Sequence, residues 1–253
     1  MKITFLGTGT SQGIPIIGSK HPVCLSSDQK DKRLRSSVML EWDDYRFIID
    51  CGPDFRQQLL REQVDRINGI LFTHEHSDHT AGLDEIRPFT HRMGDMPLYV
   101  PERIEDNLQQ RFYYIFTRVN RYPGAPSADV ILVYNKPFKL GDKTVIPVEF
   151  IHGSITVFGY RIDNFAYLTD LKRIEDSEKQ KLKDLDVLVL NALRIDPHPT
   201  HLNLAQALEL IAELQPKQAY LTHISHMLGF HAEVSRHLPT NVQLAYDGLK
   251  IEV

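Results

Sequence analysis

Between Thr73 and Gly82 the chain reads THEHSDHTAG, in which His74, His76, Asp78 and His79 follow the spacing H-x-H-x-D-H. Only 12 of 253 residues are histidine, and chance would place this pattern in a chain of this composition about 0.002 times. Neutral imidazole suits zinc, manganese or iron, and carboxylate accepts any hard divalent cation. Alternate residues of an extended stretch point the same way, so His74 and His76 can share one ion. Where the chain bends, Asp78 and His79 would face a second. Three more residues of ligand type close apolar, strand-like segments: His152 ends VEFIH, Asp170 ends FAYLTD and His223 ends AYLTH. One histidine at a strand end is commonplace. Three such ends that can converge on one sheet edge imply a site assembled from distant sequence.

The elements that must position these residues follow from periodicity. KITFLG, SSVMLEW, YRFIID and GILFTH read as strands, with a tight turn at Asp43–Asp44. TAGLDEIRPF can open a helix after the histidine-rich loop. A helix is predicted from Pro101 to Val119, where proline suits the first turn and Ile104, Leu108, Phe112 and Ile115 fall at helical spacing. A second strand series comprises TVIPVEFIH, VFGYRI, FAYLTD and DVLVLNAL. NLAQALELIAEL is predicted to be a helix capped by Asn203, with Gln206 three residues on and Pro216 beyond its end. QAYLTHIS is the last buried strand, and LAYDGLKIEV reads as a closing hairpin. Two strand-rich halves with helices between and after them predict an α/β layered arrangement, two sheets face to face with helices outside, in one domain over residues 1–253.

Composition narrows the function classes. Hydrophobic residues make up 42% and charged residues 25%, as in a soluble globular protein. No apolar run reaches the length of about 18 residues that a membrane span requires, and MKITFLGTGT reads as a strand entering a glycine turn, not a signal peptide. A cytoplasmic protein without membrane contact is expected. Two cysteines, Cys24 and Cys51, are too few for a disulfide framework. Net charge is −4 and no basic stripe or long basic arm is present, which argues against nucleic acid as a partner.

The constellation resembles the metallo-β-lactamase-fold hydrolases over essentially the whole chain. That resemblance implies an αββα sandwich with the site at one edge and two divalent ions, zinc or manganese. It implies that His74, His76 and His152 hold one ion, that Asp78, His79 and His223 hold the other, and that Asp170 bridges them. Asp50, closing YRFIID before a glycine turn, matches the family's early aspartate and is expected to orient a ligand or the metal loop. FLGTGTSQGIP and RLRSS resemble the phosphodiesterase branch that includes tRNA 3′-processing nucleases and small cyclic-phosphate hydrolases. On that pattern Gly7, Gly9 and Gly13 would let backbone N–H groups approach the site, and Arg35 with Ser36 or Ser37 would contact phosphate. His201, in HPTHLNL, matches a histidine that protonates the leaving alkoxide, with His198 as the rival.

Over the whole chain the resemblance is to phosphoribosyl cyclic phosphate phosphodiesterases and their relatives. Many of those bind a structural zinc through three cysteines and a later histidine. Here the matching positions are Ser19, His21 and Cys24, with His226 following. His21, Cys24 and His226 then form either a weakened zinc site or a region held by hydrogen bonds alone. The implied activity is a dinuclear phosphodiesterase acting on a small cyclic or nucleotide-like diester, in which hydroxide generated on the metals attacks phosphorus. Asp78, Arg35 and His201 would be its catalytic residues. Thioester or lactone hydrolysis on the same metals, and RNA processing, are the rivals. The segment Pro101–Val119, with Arg111, Arg118 and Arg121 in or near it, would cover the site or form a homodimer contact. Its Phe112, Tyr113, Tyr114 and Phe116 read as core or interface, not as a base-stacking platform.

Overall fold

Period-two alternation of apolar side chains decides how the strands stack. The computed structural model describes residues 1–253. Its first sheet runs β1 (Lys2–Gly7), β2 (Ser37–Trp42), β3 (Tyr45–Ile49), β4 (Gly69–Leu71), β5 (Met96–Pro101) and β6 (Ala128–Val133) in spatial order. The second holds β7 (Phe138–Leu140), β8 (Lys143–His152), β9 (Ile155–Ile162), β10 (Phe165–Leu168), β11 (Val187–Asn191), β12 (Gln218–Thr222) and β13 (Val242–Leu244), also in spatial order. The last strand, β14 (Lys250–Glu252), returns to pair antiparallel with β1, so that Lys2 lies opposite Glu252.

Along β2, Val38, Leu40 and Trp42 face the second sheet, and along β3 Phe47 and Ile49 do the same, meeting Tyr160, Phe165, Tyr167 and Val189. The intervening Met39 and Ile48 face outward and pack with Phe55, Leu59, Ile86 and Phe89 of the flanking helices. The second sheet mirrors this arrangement. Ala166, Leu168, Leu188 and Leu190 turn outward onto Ala207, Leu210 and Ile211 of the helix Leu204–Leu214. Each fully buried Leu, Ile or Phe contributes about 1.5–3 kcal/mol, so both faces of both sheets stabilise the layering. The result is the α/β sandwich that the sequence predicts, helices outside and two sheets within. No helix is long and apolar enough to cross a membrane.

Strand direction places the site. From β3 to β6 the neighbours pair parallel, and so do those from β10 to β13. β8 is antiparallel to β9, and β9 to β10, so β8 runs with β10. The C-terminal ends of β3, β4, β8, β10 and β12 carry Asp50, the His74–His79 loop, His152, Asp170 and His223. Ligand sites of parallel sheets form at such ends.

Three local expectations are corrected. The helix predicted from Pro101 to Val119 is broken into a 3-10 turn, Glu102–Ile104, and two short helices, Glu105–Arg111 and Tyr113–Phe116. Phe112 leaves helical backbone (φ −122°, ψ 35°), in a run of aromatic residues with weak helix propensity, although Ile104, Leu108 and Ile115 are buried as their spacing requires. LAYDGLKIEV is not a hairpin: β13 joins the second sheet and β14 the first. Asp247, between them, accepts hydrogen bonds from the Thr8 hydroxyl and the Leu34 N–H, both at 2.7 Å, which draws the turn across to the first sheet. TAGLDEIRPF forms no single helix: it follows a one-turn α-helix, Ser77–Thr80, and runs through a 3-10 segment, Leu83–Ile86, into the helix Arg87–Met93. Strands β5, β6 and β7 were not foreseen in the sequence.

Candidate metal centre

Asp50, Asp170 and His223 each follow a strand with left-handed backbone, at φ 64°, 62° and 54°. Such a conformation costs a non-glycine residue on the order of 1–3 kcal/mol. It also reverses the chain sharply, so that a side chain leaving the strand end turns into the site. The loop after β4 approaches equally closely. A Cβ on Gly52 would lie 2.0 Å from the Asp78 carbonyl oxygen, and one on Gly82 would lie 2.2 Å from the Gly52 carbonyl. The Cys51 N–H donates to the His79 carbonyl and the Gly82 N–H to the Cys51 carbonyl, both at 2.8 Å. Only glycine at both places lets the loop lie flat on the chain that follows Asp50.

Asp50 is fully buried and organises this side of the site. It accepts from the Thr73 N–H at 2.9 Å, from the Thr73 hydroxyl at 2.8 Å, and from His79 Nδ1 at 2.7 Å. The Thr73 hydroxyl has one proton, which goes to the carboxylate. Its lone pair therefore accepts from His74 Nδ1 at 2.9 Å. This hydrogen-bond logic assigns both rings the tautomer with the proton on Nδ1, leaving Nε2 of His74 and His79 free. On the second sheet His152 Nδ1 donates to the Thr200 carbonyl at 2.8 Å, with the same effect. Thr169 donates to Asp170 at 2.6 Å, and Asn191 clamps the Leu171 backbone through its N–H at 2.6 Å and its carbonyl at 3.1 Å.

The ring nitrogens and carboxylates converge. Ligand atoms fall into four overlapping groups, each within 4.8 Å: His74, His76 and His152; His74, His79 and Asp170; Asp78, His79 and His223; and His152, Asp170 and His201. All seven positions expected as ligands are thus brought together, with His201 among them. His79 Nε2 lies 3.2 Å from both Asp78 Oδ2 and Asp170 Oδ2, and His223 Nε2 lies 3.1 Å from Asp170 Oδ1. Yet His79 Nε2 and both nitrogens of His223 are buried without a properly aligned hydrogen bond. Buried polar atoms left unpaired are costly and uncommon. Nitrogens and oxygens aimed at common points, not at one another, are the donor set of a divalent cation, and imidazole with carboxylate suits zinc or manganese.

Charge follows the same division. Burial opposes charging His79, but Asp78, Asp170 and Asp50 around it hold its pKa well above the ordinary value. Burial, reinforced by the neighbouring His79, keeps His74 well below its own. Burial would raise Asp170, but His223 and His79 draw it well below the usual carboxylate range. His201 Nε2 meets Asp170 Oδ1 at 3.0 Å, and burial pushes this ring down to about 4 despite that contact. On its other side His201 Nδ1 is 2.9 Å from the Thr200 hydroxyl and 3.1 Å from His198 Nδ1, so the two rival histidines share one network.

Other expected contacts point elsewhere. Arg35 forms an ion pair with Asp54 at 3.0 Å and donates to the Ser11 carbonyl at 3.1 Å. Ser36 donates to the Gly9 carbonyl and Ser37 to the Asp50 carbonyl, and both are buried. The Gly9 and Gly13 N–H groups are taken by the Leu34 and Thr10 carbonyls. A Cβ on Gly7 would lie 1.9 Å from the Arg35 carbonyl, so these glycines serve close packing of two backbones, not approach to a ligand. The His21 and His226 rings are 4.7 Å apart, but His21 Nδ1 caps the helix Pro22–Leu25 and Cys24 packs with Ile14 and Val23. These three residues form no ligand group. A cavity of about 300 Å³ borders Thr73, Arg103, Tyr134, Glu149, Thr156 and Phe158, beside the loop but lined by none of the seven residues expected as ligands. Thr73, Thr169 and Asn191 were missed in the sequence. The threonine directly before the first histidine was the available signal for Thr73.

Residues 45–224 match the model of the beta-lactamase superfamily domain. A diphosphatase from the PhnP family has a solved structure that superposes with a TM-score of 0.92 at 42% identity, covering 100% of this chain and 97% of that one. An octanoyltransferase of Porphyromonas gingivalis is 39% identical over 99% of this chain but only 51% of its own length. A ribonuclease Z of Methanococcus maripaludis is 38% identical over 78% of this chain and 64% of its own. The chain therefore spans between half and two thirds of these two curated relatives.

Proposed function

The chain belongs to the metallo-β-lactamase superfamily of hydrolases, and from that premise we propose that it hydrolyses a small cyclic or nucleotide-like phosphodiester at two divalent ions. The observation that carries this reading is the pair of separate three-residue groups, His74–His76–His152 and Asp78–His79–His223, with Asp170 in contact with His79 and His223. These residues would hold zinc or manganese, and Asp170 would stand between the two ions. When bound, such ions supply charge neutralisation and activate water at neutral pH, the requirement for attack on an anionic diester. Two relatives, a diphosphatase and a ribonuclease, bear names that denote cleavage at phosphorus.

The chain's own residues take three roles. Asp50, Thr73 and Thr200 fix the ring tautomers before substrate arrives. Asp78 acts as ligand and as part of the catalytic centre. His201 protonates the leaving oxygen: an anionic diester beside it favours the charged ring and offsets the burial that otherwise keeps it neutral. Arg35 acts through Asp54 and the Ser11 carbonyl on the Gly7–Gly13 turn. Its charge is already paired, so it steadies this wall in place of gripping phosphate. Two free, buried cysteines accord with a cytoplasmic setting. A second reading, thioester or lactone hydrolysis, draws on the acyl chemistry named in the octanoyltransferase relative.

Bis(p-nitrophenyl) phosphate tests the reading directly. Protein loaded with zinc or manganese should hydrolyse it, and Asp78→Ala should fall to the level of the blank. His201→Ala should lower kcat about 10²-fold or more for a diester with an alkyl leaving group, while a p-nitrophenolate or thiolate leaves nearly as before. Turnover of thioesters with inert diesters would install the second reading instead.

A further inference from the structure

Along the loop after β4 two sets of side chains go opposite ways. His74, His76, Asp78 and His79 turn to the ligand cluster, while Glu75, Ser77 and Thr80 are held by two guanidinium groups from the segment Glu102–Arg111. Arg103 forms a bidentate pair with the Glu75 carboxylate at 2.7 and 2.6 Å. Arg111 donates to the Glu75 carbonyl at 2.8 Å, to the Thr80 hydroxyl at 2.9 Å and to the Ser77 hydroxyl at 3.4 Å. The Thr80 hydroxyl donates in turn to the His76 carbonyl at 2.9 Å.

His76 is the one histidine of the loop that is exposed. His79 is anchored on Asp50, His74 on Thr73 and His152 on the Thr200 carbonyl. The His76 ring has no such support, since its one hydrogen-bonding neighbour is His74 Nε2 at 3.0 Å, itself a ligand atom. With no side-chain anchor outside the ligand set, the ring depends on its backbone, whose carbonyl accepts from the His79 N–H at 3.0 Å and from the Thr80 hydroxyl that Arg111 holds. Building on the two-ion reading above, we propose that Arg111, supported by the Arg103–Glu75 pair, is a positioning residue. It fixes His76 for the ion of the His74–His76–His152 group and leaves the Asp78–His79–His223 group to Asp50. The planar fork of arginine reaches these three acceptors from two nitrogens held in one plane, a geometry that the single ammonium of lysine does not reproduce.

Zinc stoichiometry of the whole protein under graded chelator tests this without reference to turnover. Wild type should hold two ions. Arg111→Ala should keep one and release the other at about tenfold lower chelator strength or less, the usual scale for outer partners of a metal site. Arg111→Lys should fall between them. Thr80→Val, which leaves the guanidinium in place, should lose the same ion. Arg118→Ala provides the control, because Arg118 lies just beyond this segment and pairs with Asp95 and Asp129, not with the loop. Retention of both ions by Arg111→Ala and Thr80→Val at wild-type strength would overturn the proposal while leaving the two-ion centre intact. Simultaneous loss of both ions would overturn it too, since the claim is selectivity. A wild type that saturates at one zinc would sink the two-ion reading and this proposal together.

Discussion

From the first sheet the site receives one continuous loop, His74 to His79, together with Asp50. From the second it receives His152, Asp170 and His223, each alone at the end of a different strand. Support differs in the same way. The first-sheet loop is fastened by Asp50, Thr73, Arg103, Arg111 and the close approach at Gly52. Around the second-sheet residues there is less: Thr169 and His201 at Asp170, Asn191 on the Leu171 backbone beside it, a carbonyl at His152, and no hydrogen bond at all to the His223 ring. A loop has few strand contacts of its own and needs braces. A residue rooted at the end of a buried strand inherits its position from the ladder, so its side chain can be left bare for a ligand.

The largest effect should come from the residue on which the two halves meet. Asp170 touches His79, His201 and His223, whereas Asp78 reaches only His79 and His223. Asp170→Ala should therefore abolish both turnover and tight binding of the second zinc, seen by elemental analysis. A variant that kept two ions would show that the second sheet is dispensable. Next comes Asp50→Ala, which removes no proposed ligand but frees Thr73, His74 and His79 together. Zinc affinity should drop roughly 10–100-fold in chelator competition, and an unchanged affinity would mean the first-sheet braces are ornamental.

A third effect, which leaves the site itself untouched, concerns pH and the crossing between the sheets. Burial pushes the Asp247 carboxyl up to about 6. A raised folded value means that the native state binds the proton more tightly than the unfolded chain. This contribution to stability is complete below the unfolded pKa of about 3.9 and is lost as pH rises through about 6. Asp247→Asn cannot ionise, so metal-free variant should lose less stability than wild type between about pH 4 and pH 7. The difference should be on the order of 2–3 kcal/mol, read from urea unfolding at both ends. Equal slopes would remove Asp247 from the account of how the sheets are joined.

Legibility in the sequence follows the same contrast. The loop could be read outright, because all its ligand types lie within six residues. His152, Asp170 and His223 were legible only as strand ends, and only because period and direction implied a common edge. Asp50 was legible in kind, while its three bonds were not. Arg103 and Asn191 gave no signal, and Arg111 was noticed only as part of a segment beside the site, since common residues acquire such roles through partners 20 to 36 positions away. Arg35, Ser36 and Ser37 were misread for a related reason. A sequence displays a donor, but it does not show that Asp54 or a neighbouring carbonyl has already engaged it. The Asp-Gly signal near residue 247 likewise serves a hairpin and a crossing equally well.

The pairing of β14 with β1 bears on how the molecule comes into being. Lys2 waits for Glu252, and Thr8, which bonds Asp247 and whose carbonyl accepts from Ile224 next to His223, waits for residues more than 200 positions on. Contacts this distant slow folding, because the loop must close before they reward it. During synthesis the histidine-rich loop emerges long before Asp170 and His223 exist, and it can capture an ion only weakly, as a short peptide would. Tight loading with metal is thereby deferred until β12 is in place, which couples assembly of the second sheet to the first competence for chemistry.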